Sequence, residues 1–214
     1  MVTELFTNPA ELKGPKKWEK YKEHLMSLDE QSLCCRFGYA INETAMDMFI
    51  TKCKEEDHRH HLFTIRDLHG TIVAVAHVGL MHDGAEIGLS VVTEHQQHGL
   101  GNKILLHSLR WCQNRGYNWV YMYCLSYNTK MVRMLSKNNI AIVREGSDSS
   151  AKIHLPDPTP ATLTEEWFVN QLAIVDRMYI KNQQVIDACQ KMWAPKFGVD
   201  KQIESSVQSD HGNS

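Results

Sequence analysis

The sequence is short of several things, and each shortage removes a class of protein. No apolar run approaches the ~20 residues a helix needs to cross a bilayer, so no membrane span or membrane partner is expected. Residues 1–9 hold no basic stretch leading into an apolar one, so no secretory signal is expected. None of the six cysteines (Cys34, Cys35, Cys53, Cys112, Cys124, Cys189) belongs to a C-x-x-C pair, and several lie inside apolar runs, as buried thiols do. That usage fits a reducing, cytoplasmic setting. Charge of one sign is lacking too. Lys and Arg number 23 against 25 Asp and Glu, and a net charge of −2 gives no electrostatic case for nucleic acid or an anionic membrane. Neither a G-x-G-x-x-G fingerprint nor a Walker lysine loop is found.

What is present suits a globular enzyme-sized unit. The chain has 214 residues, 43% of them hydrophobic, enough for one sizeable core with an appendage. Helical spacing appears at Trp18, Tyr21, Leu25 and Leu28, and again over Glu43–Glu55 with Met46, Phe49, Ile50 and Cys53 on one stripe. The period then changes to that of strands at 62–66, 71–81 and 85–92, joined by the turns at 67–70 and 82–84. The third strand is read as running on through Thr93-Glu94-His95 into a glycine-bearing turn, where a helix begins. Leu100, Ile104, Leu105, Leu109 and Cys112 make that helix's apolar face, with Asn102, Lys103, Arg110 and Gln113 outward and Arg115-Gly116 as its stop. Trp119–Leu125 reads as a buried strand, and a strand–helix–strand crossover makes it parallel to its predecessor. Asn128 caps a helix reaching Lys137, Asn139 ends it in left-handed backbone, and strands are expected at 140–144 and 151–155.

Pro156, Pro158 and Pro160 then form a stiff connector to a long helix over 163–193, with Thr162 and Glu165 in capping-box register. Phe168, Leu172, Val175, Tyr179, Ile186, Cys189 and Trp193 follow a three-four spacing interrupted by Asn182. This stripe either folds back over the domain or pairs with a second copy as a homodimer, Asn182 setting the register. The expected division is 1–160 as the main domain, 161–196 as a helical extension and 197–214 as a disordered polar tail.

A glycine turn between a strand and a helix N-terminus is an anion site, because unpaired N–H groups and the helix dipole point outward there. Here Gln96-Gln97-His98-Gly99-Leu100-Gly101 matches the Q/R-x-x-G-x-G/A motif of the GNAT superfamily of N-acetyltransferases, and the order of elements over 18–155 resembles that family. Ser32 to Phe37, with Arg36-Phe37, resembles the stretch before the core in bacterial protein-lysine acetyltransferases. The resemblance implies an α/β GNAT fold, a mixed central sheet whose parallel pair splays apart, followed by the long helix. It implies acetyl-CoA as acyl donor and an amine acceptor, a protein lysine or a small amine. Val91 and Val92 would offer backbone groups to the pantetheine arm. Gln96 opens the motif, Gln97, His98, Gly99, Leu100, Gly101 and Asn102 would cradle the pyrophosphate, and Asn128 matches an asparagine near the cofactor. Two positions depart from the family: His98 stands where a basic residue is common, and Leu135 where many of these enzymes carry a tyrosine acid.

An amine acceptor is mostly protonated at neutral pH, so a base helps. Glu86 matches the carboxylate some relatives carry on this strand, and Gly88, on the same face, would leave room for the acceptor. The alternative is a merely solvated Glu86. Tyr127 reads as packed or channel-lining. His58, His60 and His61 read as a solvated loop, with no metal site expected, and His77, His95 and His107 as structural or exposed. Cys124 reads as a packed thiol. The functional expectation is direct acetyl transfer; the alternative is a catalytically inactive acyl-CoA-binding regulatory module.

Overall fold

Apolar spacing and side-chain caps set the first elements. In the computed structural model, which describes residues 6–146 and 148–193, a two-residue strand β1 (Ala10–Glu11) precedes helices α1 (Lys17–Met26), α2 (Glu30–Phe37) and α3 (Glu43–Glu55). Trp18, Tyr21 and Leu25 of α1 are buried, as their spacing requires. Helix α2 lacks an apolar stripe and has no fully buried residue, so its period does not announce it. Its caps do. The Asp29 carboxylate accepts the Ser32 N–H at 2.6 Å, and Gly38 closes the helix in left-handed backbone at φ 82°.

The strands are β2 (His60–Arg66), β3 (Ile72–Leu80), β4 (Ala85–Val91), β5 (Trp119–Leu125), β6 (Val143–Glu145) and β7 (Asp148–His154), in the order β1-β2-β3-β4-β5-β7-β6. All neighbours are antiparallel except β4 and β5. The expected extension of β4 through 93–95 is corrected: Thr93–His95 forms a single 3-10 turn. The last two strands also start later and earlier than expected. Asn139 (φ 57°) and the bond from the Ile140 N–H to the Leu135 carbonyl are still finishing a helix at 140, so β6 begins only at Val143.

Helices α4 (Leu100–Asn114) and α5 (Thr129–Lys137) follow the predicted bounds closely. One core packs α4 on the sheet through Ile104, Leu105, Ile65 and Ala76. A second, on the opposite face, joins α1 and α3 to the sheet through Tyr21, Leu25, Met46, Leu62 and Val75. Covered on both sides, β3 is buried from Ile72 through Val78. Gln113, expected outward, is buried; its amide donates to the Asp157 carbonyl at 3.2 Å and accepts from Arg110 at 2.6 Å, because the proline connector covers that side of α4.

Helix α6 (Pro160–Trp193) starts three residues earlier than predicted. Thr159 and Thr162 form the capping box, each hydroxyl accepting the other's backbone N–H at 3.2 and 3.0 Å. Pro160 thus occupies the first helical position, where a missing N–H costs nothing. Contacts divide the chain into units Met1–Arg177 and Met178–Ser214. Within the first, Glu166 binds Arg115 at 2.9 Å and Asn114 at 2.6 Å, Ala173 is buried, and Asp176 accepts the Asn8 N–H at 2.6 Å. In the second, residues 178–193 continue as helix. The disordered tail expected at 197–214 lies outside the described residues. Among the described residues no helix is long and apolar enough to cross a membrane.

Candidate active site

The site begins where the parallel pair fails. β4 and β5 share only the register pairs Ala85↔Val120 and Glu86↔Tyr121, while β4 stays paired to β3 up to Val91 and β5 to β7 up to Leu125. Each strand is held on its outer edge, and the inner edges part. Gly84 fixes the closed end, since a Cβ there would lie 2.2 Å from the Trp119 carbonyl oxygen. At the open end the Val92 N–H donates to the Val73 carbonyl at 2.9 Å. Successive amides along a strand point to opposite edges, so the Val91 N–H faces the gap and the Val92 N–H, already paired, does not.

The motif turn follows. Left-handed backbone at Gln97 (φ 66°) and Gly99 (φ 77°) carries the chain into α4, whose first internal bond runs from the Lys103 N–H to the Gly99 carbonyl at 2.9 Å. The N–H groups of Leu100, Gly101 and Asn102 precede that bond and have no partner within the helix. A Cβ on Gly101 would meet Met134 Sδ at 3.4 Å, so glycine lets α5 approach the turn. His98 is exposed beside the Phe6 ring. Gln96 has a bracing role that the motif alone does not reveal. Its amide donates to the Val91 carbonyl at 3.0 Å and to Ser32 Oγ at 3.2 Å, and accepts from Lys130 Nζ at 2.5 Å. Asn128 caps α5 through its Oδ1, which accepts the Met131 N–H at 3.1 Å.

A cleft of 860 Å³ enters the splay from the face that carries α2 and α3, with Gly88 of β4 and Tyr123, Cys124 and Leu125 of β5 in its wall. Its floor draws on two rows of cross-strand partners: His60, Gly79 and Glu86, then His77 and Gly88. Glu86 is exposed and lines the cleft. The space above Gly88 is not open as expected. Arg36 fills it: a Cβ at Gly88 would fall 2.3 Å from the guanidinium carbon. Helix α2 therefore spans the site, Ser32 touching Gln96 at one end and Arg36, four residues on and on the same side, reaching Gly88 at the other.

Arg36 Nη2 donates to Tyr21 Oη at 3.2 Å and to His77 Nδ1 at 3.3 Å. A guanidinium can only donate, so Nδ1 of His77 accepts and Nε2 carries the proton, which it donates to His60 Nδ1 at 3.0 Å. Both rings are neutral in this chain. Burial pushes His77 well below the usual histidine range, helped by Arg36, and burial lowers His60 as well. The reading of His58, His60 and His61 as a solvated loop is corrected: His60 and His61 open β2, one bonded to His77 and the other to Glu11 at 2.8 Å. Potential ligand atoms of Cys53, His60 and His77 lie within 4.8 Å of one another. The group does not fit a metal, because His77 bound through Nε2 would need a proton on Nδ1, where it would face the guanidinium donor. Cys53 is also pushed up to about 11, by burial, with Arg36 opposing.

Cys124 is buried and its thiol pushed up by burial, which suits packing rather than attack. Tyr127 is exposed, outside the cleft wall, with its hydroxyl 3.5 Å from Cys34 Sγ. Leu135 is fully buried in the core, so no side chain of α5 takes the acid's place there. Deeper, His24 accepts from Ser90 Oγ at 2.8 Å and donates to the Ile72 carbonyl at 3.2 Å, tying α1 to β4 next to Val91.

A mixed sheet that splays at its one parallel pair, beside a glycine turn at a helix N-terminus, defines the GNAT class of fold. The family model described as Acetyltransferase (GNAT) family matches residues 26–139, more than half of the chain, and the chain belongs to that family. Among solved structures it is similar to the GNAT domain of S. lividans PAT, at TM-score 0.57 and 15% identity over 69% of this chain and 89% of that one. The ribosomal-protein-S18-alanine N-acetyltransferase of Escherichia coli superposes at TM-score 0.52 and 16% identity, over 72% and 96%. A spermidine N-acetyltransferase of Vibrio cholerae, solved with CoA and spermine, does so at 0.52 and 13%, over 70% and 94%. At such identities the likeness is one of fold. No curated protein sequence matches this one.

Proposed function

We propose that the chain transfers the acetyl group of acetyl-CoA to a primary amine by direct attack. The observation that carries the reading is that the cleft holding Glu86 opens into the gap between β4 and β5, beside the motif turn. In this reading the N–H groups of Gln97 to Asn102 hold the pyrophosphate, and the pantetheine runs along the inner edge of β4 with Asn128 across the gap. The Val91 N–H polarises the thioester carbonyl, and Glu86 takes the amine's proton through water. The new C–N bond forms as the C–S bond breaks, and the CoA thiolate is protonated by water. Val92 supplies no N–H, its own being paired, and Gln96 braces the Val91 carbonyl. The acceptor is a protein lysine or a small amine, and the setting is cytoplasmic. The division at residue 160 leaves a helical extension, and a homodimer forms through α6, where Phe168, Leu172, Val175, Tyr179 and Ile186 are all exposed at heptad spacing.

The test is isothermal titration with acetyl-CoA, followed by CoA release on an amine and peptide panel. Release with one acceptor class supports the enzyme; binding without release for any acceptor favours an acyl-CoA-binding regulatory module. Glu86→Gln is expected to lower turnover about 100-fold near neutral pH. Unchanged turnover across pH 6–9 takes the base role away from Glu86.

A further inference from the structure

Burying a guanidinium without an anion is costly, and a buried donor without any acceptor is rarer still. Arg36 is half-buried without an anion, and its fork shows the second feature at one atom. Its Nε is buried with no hydrogen-bond partner, and among the described residues no carboxylate pairs with it. The described residues offer the neutral Tyr21 hydroxyl and His77 ring, both to Nη2, and the face of the Phe37 ring 5.0 Å from the guanidinium carbon. These fix the fork and leave it without a paired anion. Gly88 completes the seat, since any side chain there would push the guanidinium out. Elsewhere in the cleft Arg59 and Glu56 pair at 3.3 Å and offset each other, which leaves Arg36 and Lys52 against Glu86 alone.

Resting on the acetyltransferase reading, we infer that Arg36 is the receptor for a carboxylate carried by the acceptor, so that this site takes amines bearing an acid group rather than polyamines. A carboxylate satisfies the planar fork with charge-assisted bonds, where a second ammonium group is repelled. The placement also sets a span. Glu86 and Gly88 share a strand face two residues apart, so an amine at Glu86 and a carboxylate at Arg36 are separated by roughly 7 Å. Helix α2, fastened to Gln96 through Ser32, keeps this receptor in register with the motif turn.

The experiment uses ω-amino acids from glycine to 6-aminohexanoate, their methyl esters and the matching diamines. Each is titrated into the CoA-loaded protein and assayed for acetylation with acetyl-CoA. Lysine peptides with a neighbouring Glu or Gln distinguish a free amino acid from an acidic peptide as the source of the carboxylate. For the best chain length, the acid is expected to bind and react about ten- to hundred-fold better than its ester. Arg36→Met and Gly88→Ala are both expected to collapse that preference; the second keeps the charge and displaces it, and acetyl-CoA titration verifies that each variant is folded. Esters or diamines that bind as well as the acids, or a preference that survives both variants, overturn the carboxylate receptor. Preferential binding of acids without any acetylation would leave the receptor standing and instead remove the transferase reading.

Discussion

Gly84 holds the closed end of the splay, and Gly84→Ala tests whether that contact shapes the cofactor gap. Its φ lies outside the left-handed region, so alanine is allowed by the backbone and any effect is steric. The new Cβ would sit 2.2 Å from the Trp119 carbonyl oxygen and 3.0 Å from its carbon. An ordinary non-bonded separation is about 3.5 Å, so the two segments must part by roughly 1 Å. Neither can yield by rotating a side chain. Trp119 is paired to His154 on β7, and the turn is closed by the bond from the Met81 N–H to the Gly84 carbonyl at 2.8 Å. Overpacking of this kind costs about 1–3 kcal/mol. For a protein of this size that lowers Tm by about 2–12 °C. Among the described residues the displaced strands carry the only two parallel pairs, so acetyl-CoA affinity is expected to fall several-fold as well. Thermal melting with and without acetyl-CoA reads both effects. Gly116→Ala is the control: nothing lies within 4 Å, but φ is 76°, so it costs about 1 kcal/mol of backbone strain and leaves affinity unchanged. A Gly84→Ala protein that melts with the wild type would refute the reasoning.

Gly99→Glu sets a negative side chain against the motif turn with no clash to relieve, so acetyl-CoA binding by titration should be lost while Tm falls only by the cost of left-handed strain; unchanged affinity would remove the turn from the cofactor site. His24 and His107 are each pushed down by burial to about 4. The unfolded chain takes up these protons near pH 6.5 and the folded one only near 4, so their stabilisation is complete above pH 6.5. It is lost as pH falls towards 4, by up to about 3 kcal/mol each. Urea unfolding at pH 7 and pH 4.5 should show this loss, and His107→Leu should shrink it. Along α6, Val175→Glu with Ile186→Glu should abolish any dimer seen by light scattering while leaving acetyl-CoA binding intact; a dimer that persists would exclude this stripe as the interface.

Much of the site was legible because the chemistry that signals it is local. A glycine turn entering a helix, the Asn128 cap and the strand at Trp119–Leu125 are each specified by a few adjacent residues, and the fold places them within a residue or two of expectation. Period and caps also indicate most of the helices, but α2 was not among those expected, because its apolar period is weak and only its caps mark it. Tertiary structure alone decided what meets across the sheet. Register makes Gly88 the neighbour of His77 and Gly79 that of His60, and only this packing reveals that Arg36 fills the space an acceptor was expected to use. The same pairing turns two histidines of unremarkable sequence context into a hydrogen-bonded chain. Residues 36, 60, 77 and 88 carry no shared local signal, because side chains on four different elements become neighbours only when cross-strand pairing and helix packing set the distances between them.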